Sequence, residues 1–247
     1  SLAYAQERPQ GRAPTNKNPA DPQLPIIEHA DVKRMLLAQK AYVEGGYALC
    51  LYCARLVDET RVGADDTATG EAGLLLDLLT PIAKAFLTDN GHTATNACMQ
   101  VFGGHGFIKE WGMEQYVRDN RINMIYEGTN TIQSLDLLGR KVLGNNGATL
   151  RKFGKLVGKL VEEEGVNEKM AEFITPIAIL GDQMTKFTTE LGFKGFQNAD
   201  EVGAAAVDYL RVAGHLVFGY FFARMAQVAL REIAAGSCSD GIVARGK

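Results

Sequence analysis

Cysteine is scarce in this chain of 247 residues: Cys50, Cys53, Cys98 and Cys238 are the whole complement. So few thiols, in a chain long enough to bury a sizeable core, exclude a disulfide-stapled scaffold and point to a reducing compartment. Proline is scarce too, and five of its seven copies fall between Pro9 and Pro25, which confines chain breaking to one early stretch. Blocks of basic charge are absent. The 26 Lys and Arg are dispersed among 29 Asp and Glu, the net charge is −3, and a nucleic-acid surface has no support. A long hydrophobic run is absent as well. The most apolar segment, "VAGHLVFGYFFA" at residues 212–223, contains His215, is bracketed by Arg211 and Arg224, and is too short to span a bilayer. It is predicted to be a buried helix. No signal-peptide pattern opens the chain. Together with 46% apolar and 22% charged residues, these absences describe an ordinary soluble protein, expected in the cytoplasm.

What is present is helical period. The opening "SLAYAQERPQGR" reads as the end of a helix without its beginning, so the chain is expected to be a piece of a longer protein. The prolines then make an extended loop. From Asp31, Leu36, Val43, Tyr47, Cys50, Ala54 and Val57 recur at helical spacing over roughly thirty residues. "RVGADDTATGE" is read as a loop, with Thr80-Pro81 restarting a helix whose stripe is Leu79, Ile82, Phe86, Ala94, Ala97 and Val101. That helix ends at "GGHG", residues 103–106. A short segment through Trp111 and Tyr116 leads to "IYEGTN" and a further helix, capped by Thr129 or Asn130 and stopped at Gly144. Past a flexible joint at "NNG" come roughly a hundred residues of helix. One stripe there runs Phe173, Ile177, Leu180, Met184, Phe187 and Leu191, and another Leu210, Val217, Phe221 and Val228. The final "GSCSDGIVARGK" is expected to fray. The fold class is therefore all-α, an antiparallel helical bundle plus a helical extension, with domains at 1–145 and 146–247.

Candidate chemistry is thin outside one stretch. Cys50 and Cys53 have CxxC spacing, but without a second pair they read as buried structural cysteines, and no metal site is expected. His92 and His105 flank the glycine turn with no nucleophile beside them. "GGHG" follows a helix and lacks a P-loop lysine, so by itself it is a helix terminator. "IYEGTN", residues 125–130, differs by its company. It follows "QVFGGHGF" and "YVRDNRINM", and places one carboxylate, Glu127, between an aromatic and a glycine at the start of a helix.

Three motifs in this order, "LAYAQERPQGR", "NACMQVFGGHGF" and "IYEGTNTIQ", resemble the acyl-CoA dehydrogenase family over about residues 1–145. The remainder is similar to an extension in a longer-chained branch that acts on 3-(methylthio)propanoyl-CoA and fatty acyl-CoAs. The resemblance implies oxidation of an acyl-CoA thioester to the trans-2-enoyl-CoA, with Glu127 taking the α-proton while a hydride passes to N5 of FAD. Such a base needs a raised pKa, and burial against apolar groups such as Tyr126 would raise it. The thioester oxygen needs preorganised donors. In the family these are the N–H of the catalytic Glu and a ribityl hydroxyl, and Gly128 admits the ligand. By the same resemblance Arg8 contacts the FAD pyrophosphate, and Gln100, Gly103 and Gly104 form the flavin-contacting turn, commonly across a dimer. Thr129 lies against the flavin, with Asn130 and Thr131 nearby. Arg118 and Asp119 are read as a salt-bridged support.

Departures accompany the match. Arg8 is followed by "PQGR" where many relatives have Phe-Gly, and the family's N-terminal helical and central β domains are expected to lie outside these residues, so the isolated chain is expected to be a poor enzyme. The implied partners are an acyl-CoA, an electron-transfer flavoprotein or similar acceptor, and further copies in a homodimer or tetramer. An acyl-CoA oxidase, which shares the base, and a non-catalytic helical oligomerisation module remain open alternatives.

Overall fold

The computed structural model describes residues 1–16 and 18–236, and among them every regular element is helical. Cys238 and the expected frayed end, apart from Gly236, lie outside the described residues. The helices are α1 (Leu2–Glu7), α2 (Ala30–Val62), α3 (Asp66–Phe102), α4 (Gly104–Phe107), α5 (Met113–Arg121), α6 (Asn130–Leu135), α7 (Ala148–Glu164), α8 (Ala171–Gln197) and α9 (Ala199–Ala234). α6 runs on as a π-helix over Asp136–Leu143. No described helix is long and apolar enough to cross a membrane. Contacts divide the chain into two compact units. One holds Ser1–Glu44 and Leu87–Thr129, the other Gly45–Phe86 and the chain from Asn130 onward.

The first unit forms around Ala5, Ile26, Met35 and Val101, with Tyr4, Val32, Leu36 and Ala97 packed against them. The proline-rich stretch is extended, as expected. Pro9 and Pro25 form an isolated antiparallel bridge, Gln10 N–H donates to Leu24 O (2.9 Å) and Leu24 N–H to Gly11 O (3.0 Å).

In the second unit α8 and α9 make a hairpin about Asn198. Its levels are symmetric: a Cβ on Gly195 would lie 2.7 Å from Val202, Thr188 is bonded to the Tyr209 hydroxyl (2.8 Å), and a Cβ on Gly219 would lie 2.7 Å from Ile177. Only antiparallel helices pair residues equally far from the turn in this way. Asn198 accepts the Asp200 N–H to cap α9. The segment at 212–223 is a buried helix as read, with Leu216, Val217, Phe218, Tyr220 and Phe221 all in the core.

Several expectations need correction. α2 buries Met35, Leu49 and Leu56, one residue away from the expected stripe, whose Val43, Tyr47 and Cys50 are exposed. Both faces carry apolar residues, and the choice falls to Gly45, whose bare Cα lets the Phe218 ring come so close that a Cβ would sit 2.7 Å from it. The loop after α2 is only residues 63–65, because Asp65 caps α3 by accepting the Ala68 N–H (2.8 Å). Pro81 does not restart a helix. α3 runs through it, and the Thr80 hydroxyl donates to Leu76 O (2.7 Å) beside the missing donor. Cys50 is exposed, not buried. In α8 the core position is Thr188 rather than the neighbouring Phe187, and Val228 of α9 is exposed. The joint at 145–147 is a hydrogen-bonded turn, in which Gly147 N–H donates to Val142 O (2.7 Å).

Candidate active site

α1 is held on the glycine turn by aromatic rings. Tyr4 stacks on Phe102 at 4.4 Å, its hydroxyl is hydrogen-bonded to His105 Nδ1 (2.9 Å), and His105 stacks on Trp111 at 4.6 Å and 8°. Arg8 lies one turn beyond Tyr4 as the C-cap of α1, exposed, with its carbonyl accepting the Ile26 N–H (2.8 Å). His105 is thus a packing residue. The residues of this cluster, four aromatic or imidazole rings scattered over about a hundred positions, carry no local period by which the sequence would reveal them.

At the turn itself Gly103 has φ 59 and ψ −138, a conformation only glycine adopts readily, and its N–H donates to Gln100 O (3.0 Å). A Cβ at Gly103 or Gly104 would meet nothing within 4 Å, so both present bare backbone to open space. With exposed Gln100 and Arg8 in the same unit, this is the kind of surface that a phosphate-bearing cofactor such as FAD requires: close backbone approach and a cation. The residues fit the group assigned to them.

Glu127 follows a 3₁₀ turn at Ile122–Met124, where the Ile125 and Tyr126 N–H groups both donate to Ile122 O (2.9 and 3.1 Å). The chain then takes two consecutive left-handed residues, Glu127 at φ 52 and Gly128 at φ 82. Gly128 adopts this freely. For Glu127 it costs about 1–2 kcal/mol, and strain of this kind concentrates at functional positions. Glu127 is exposed and Tyr126 is 51% exposed, so the apolar cover expected around the carboxylate is not formed by the described residues.

Thr129 closes the first unit and Asn130 and Thr131 open the second. Asn130 does more than begin a helix. Its side chain accepts from Lys84 Nζ (2.8 Å) and donates to Ala85 O (3.2 Å), anchoring α6 to the middle of α3. Arg118 and Asp119 do not form the expected salt bridge; Asp119 accepts from Gln115 instead (2.6 Å). Both line a cavity of about 900 Å³ with Met99, Phe107, Ile122 and Ile125, where His92 contributes a buried Nδ1 with no hydrogen-bond partner. Among the described residues no cluster of His, Cys, Asp or Glu is placed to hold a metal.

Residues 2–143 match the sequence profile of the acyl-CoA dehydrogenase C-terminal domain, and residues 152–247 that described as acetyl-CoA dehydrogenase C-terminal like. The chain is 34% identical to 3-methylmercaptopropionyl-CoA dehydrogenase of Ruegeria pomeroyi, over 99% of its own length and 41% of the relative's. It is 29% identical to the broad-specificity linear acyl-CoA dehydrogenase FadE5 of Mycobacterium tuberculosis, over 97% and 41%. It thus spans about two fifths of these curated relatives. Among solved structures, ACDH-11 of Caenorhabditis elegans in complex with C11-CoA shares the fold at a TM-score of 0.70 and 20% identity, over 89% of this chain and 35% of that one.

Proposed function

The chain belongs to the acyl-CoA dehydrogenase family, whose members are generally FAD-dependent, and from that premise we propose that it is the catalytic C-terminal part of an enzyme that dehydrogenates an acyl-CoA thioester between Cα and Cβ. The observation that carries the reading is the strained pair Glu127-Gly128, φ 52 and φ 82, at the motif where the family keeps its base. Glu127 takes the α-proton, and its own backbone N–H faces the thioester oxygen where negative charge develops. Gly128 gives the thioester room, and Tyr126 borders the substrate. Arg8 holds the cofactor pyrophosphate, while Gln100, Gly103, Gly104, Thr129 and Thr131 contact the flavin. FAD, when bound, supplies the acceptor for the hydrogen and electron pair that leave Cβ. The product is the trans-2-enoyl-CoA, and an electron-transfer flavoprotein or similar acceptor takes the electrons onward.

Residues 1–145 form the catalytic helical domain in this proposal and 146–247 an extension serving assembly or stability. Glu127 is exposed here, so its cover comes from other parts of the protein, and the 247-residue chain alone holds flavin weakly and turns over poorly. The exposed apolar row Val43, Tyr47 and Leu51 on α2 supports assembly into a homodimer or tetramer.

The test is anaerobic bleaching of the flavin absorbance by a panel of acyl-CoA thioesters, on the full-length protein and on Glu127→Gln. Bleaching of the native protein, with none in a flavin-loaded Glu127→Gln, is the expected result. Equal bleaching of both places the base elsewhere.

A further inference from the structure

In the second unit a cavity of about 690 Å³ opens between the π-helix, the start of α7 and the α8–α9 turn. Its size is that of small-molecule sites. The backbone around it is unusual on three counts. One wall is the eight-residue π-helix, a rare winding enriched at functional sites. The Gly147 N–H reaches back five residues to Val142 O, and Asn146, which is not a glycine, stands at φ 56 beside Gly147 at φ 74. Glycines 139, 144, 147, 192 and 195 all line the space, leaving it free of side chains where a packed helical interface would fill it.

The chemistry of the lining narrows the ligand. Val142, Leu143, Leu150, Phe196 and Val202 make it apolar. The three threonines direct their hydroxyl protons into α8 itself: Thr185 to Gly181 O (2.9 Å), Thr188 to Met184 O (2.7 Å) and Thr189 to Thr185 O (3.0 Å). They therefore offer a ligand no donor. Arg151 is the only charged residue in the lining; it is exposed, and one of its terminal nitrogens donates to Asn146 O (2.5 Å), which holds the guanidinium with its other donors left over. An apolar slot with a single cationic anchor recognises one anionic head and a slender apolar tail.

We propose that this cavity is a binding site for a linear aliphatic carboxylate, seated with its tail along the π-helix and its head on Arg151. The site lies in a different unit from Glu127 and is independent of the dehydrogenase reading.

Isothermal titration of the full-length protein with hexanoate, octanoate and decanoate, and with decanol as the uncharged control, tests it. Affinity is expected to rise about fourfold per added methylene until the slot is full, with decanol at least tenfold weaker than decanoate. Arg151→Gln is expected to bring decanoate down to the level of decanol. Gly192→Leu separates this slot from any acyl site near Glu127. A Cβ at Gly192 meets only Leu143 Cδ2, at 3.6 Å, so the first added carbon fits, and because leucine is the better helix former the variant is expected to melt no lower than the native protein while its side chain fills the slot. Loss of decanoate binding in this variant supports the proposal, and Gly192→Ala, a single added carbon, should shorten the longest chain accepted. Decanoate binding unchanged by Gly192→Leu, equal affinity for decanol, or no saturable binding in the native protein overturns it.

Discussion

At the residue scale, Glu127 is an acid kept where its backbone would rather have a glycine. Replacing it should therefore separate stability from function. Glu127→Gly is expected to leave the protein folded, since glycine adopts the φ of 52 without strain, while flavin bleaching by substrate disappears. Chemical denaturation beside the bleaching assay measures both, and a destabilised variant would show that Glu127 is held by contacts and not by strain. Glycines give the opposite lesson according to what stands opposite them. A Cβ on Gly214 would fall 2.2 Å from the Phe86 ring, so Gly214→Ala should lower stability by about 1–3 kcal/mol through overpacking despite its better helix propensity. The thiols of α2 differ as well. Burial, then the neighbouring Cys50, pushes the Cys53 thiol up to about 11. Iodoacetamide at neutral pH should therefore label exposed Cys50 well before Cys53, read by peptide mass mapping.

At the scale of elements, the end of α7 is tied to α9 by one buried carboxylate. Glu164 accepts from Gln227 Nε2 (2.6 Å), Asn167 Nδ2 (2.9 Å) and Arg231 (3.3 Å), and the Gln227 and Asn167 bonds hold its pKa below the ordinary glutamate value. A lowered folded pKa means that this support is complete above the ordinary range and is lost as pH falls through the folded value. Glu164→Gln should cost about 1–3 kcal/mol at neutral pH, with the gap to the native protein closing as both are acidified. Melting curves over a pH series decide it; a gap independent of pH would mean the carboxylate's charge has no part. The elements themselves were legible to different degrees. Helical spacing found α8 from Ile177, Met184 and Leu191, which are buried on one face, whereas α9 was legible from its apolar content, since it buries residues nearly all round. Spacing misjudged the start of α3, where Asp65 and its neighbours look like a polar loop and in fact cap a helix. The winding of residues 136–143 had no signal, since over eight residues apolar spacing does not separate i→i−5 from i→i−4 winding.

At the scale of the molecule, the apolar residues left outside on α2 predict association. Sedimentation equilibrium is expected to give a dimer or larger species, and Tyr47→Glu with Leu51→Glu should move it toward monomer without loss of helical circular dichroism. A native monomer at micromolar concentration would leave that row without a partner copy. The candidate site reads differently at this scale too. Its proposed members were named from motif residues fixed in order along the chain: Arg8, the Gln100–Gly104 turn and the Tyr126–Thr129 segment. Their surroundings were not, because Tyr4, Phe102, His105 and Trp111 meet only after α1 docks on the end of α3.

The sequence by itself determined the helical class, the extended proline stretch, the breaks at Gly103 and Gly144, and the family motifs, all of which are local in the chain or fixed in linear order. Tertiary structure alone decided which of two apolar stripes on α2 turns inward, that Asn130 fastens α6 to α3 through Lys84 and Ala85, that Glu127 stands strained and exposed, and that a glycine-lined cavity opens beside the π-helix. The reason is physical. Helical period reports only neighbours three and four residues away, whereas these outcomes depend on residues far apart in sequence competing for the same space: Phe218 against Gly45, Phe86 against Gly214.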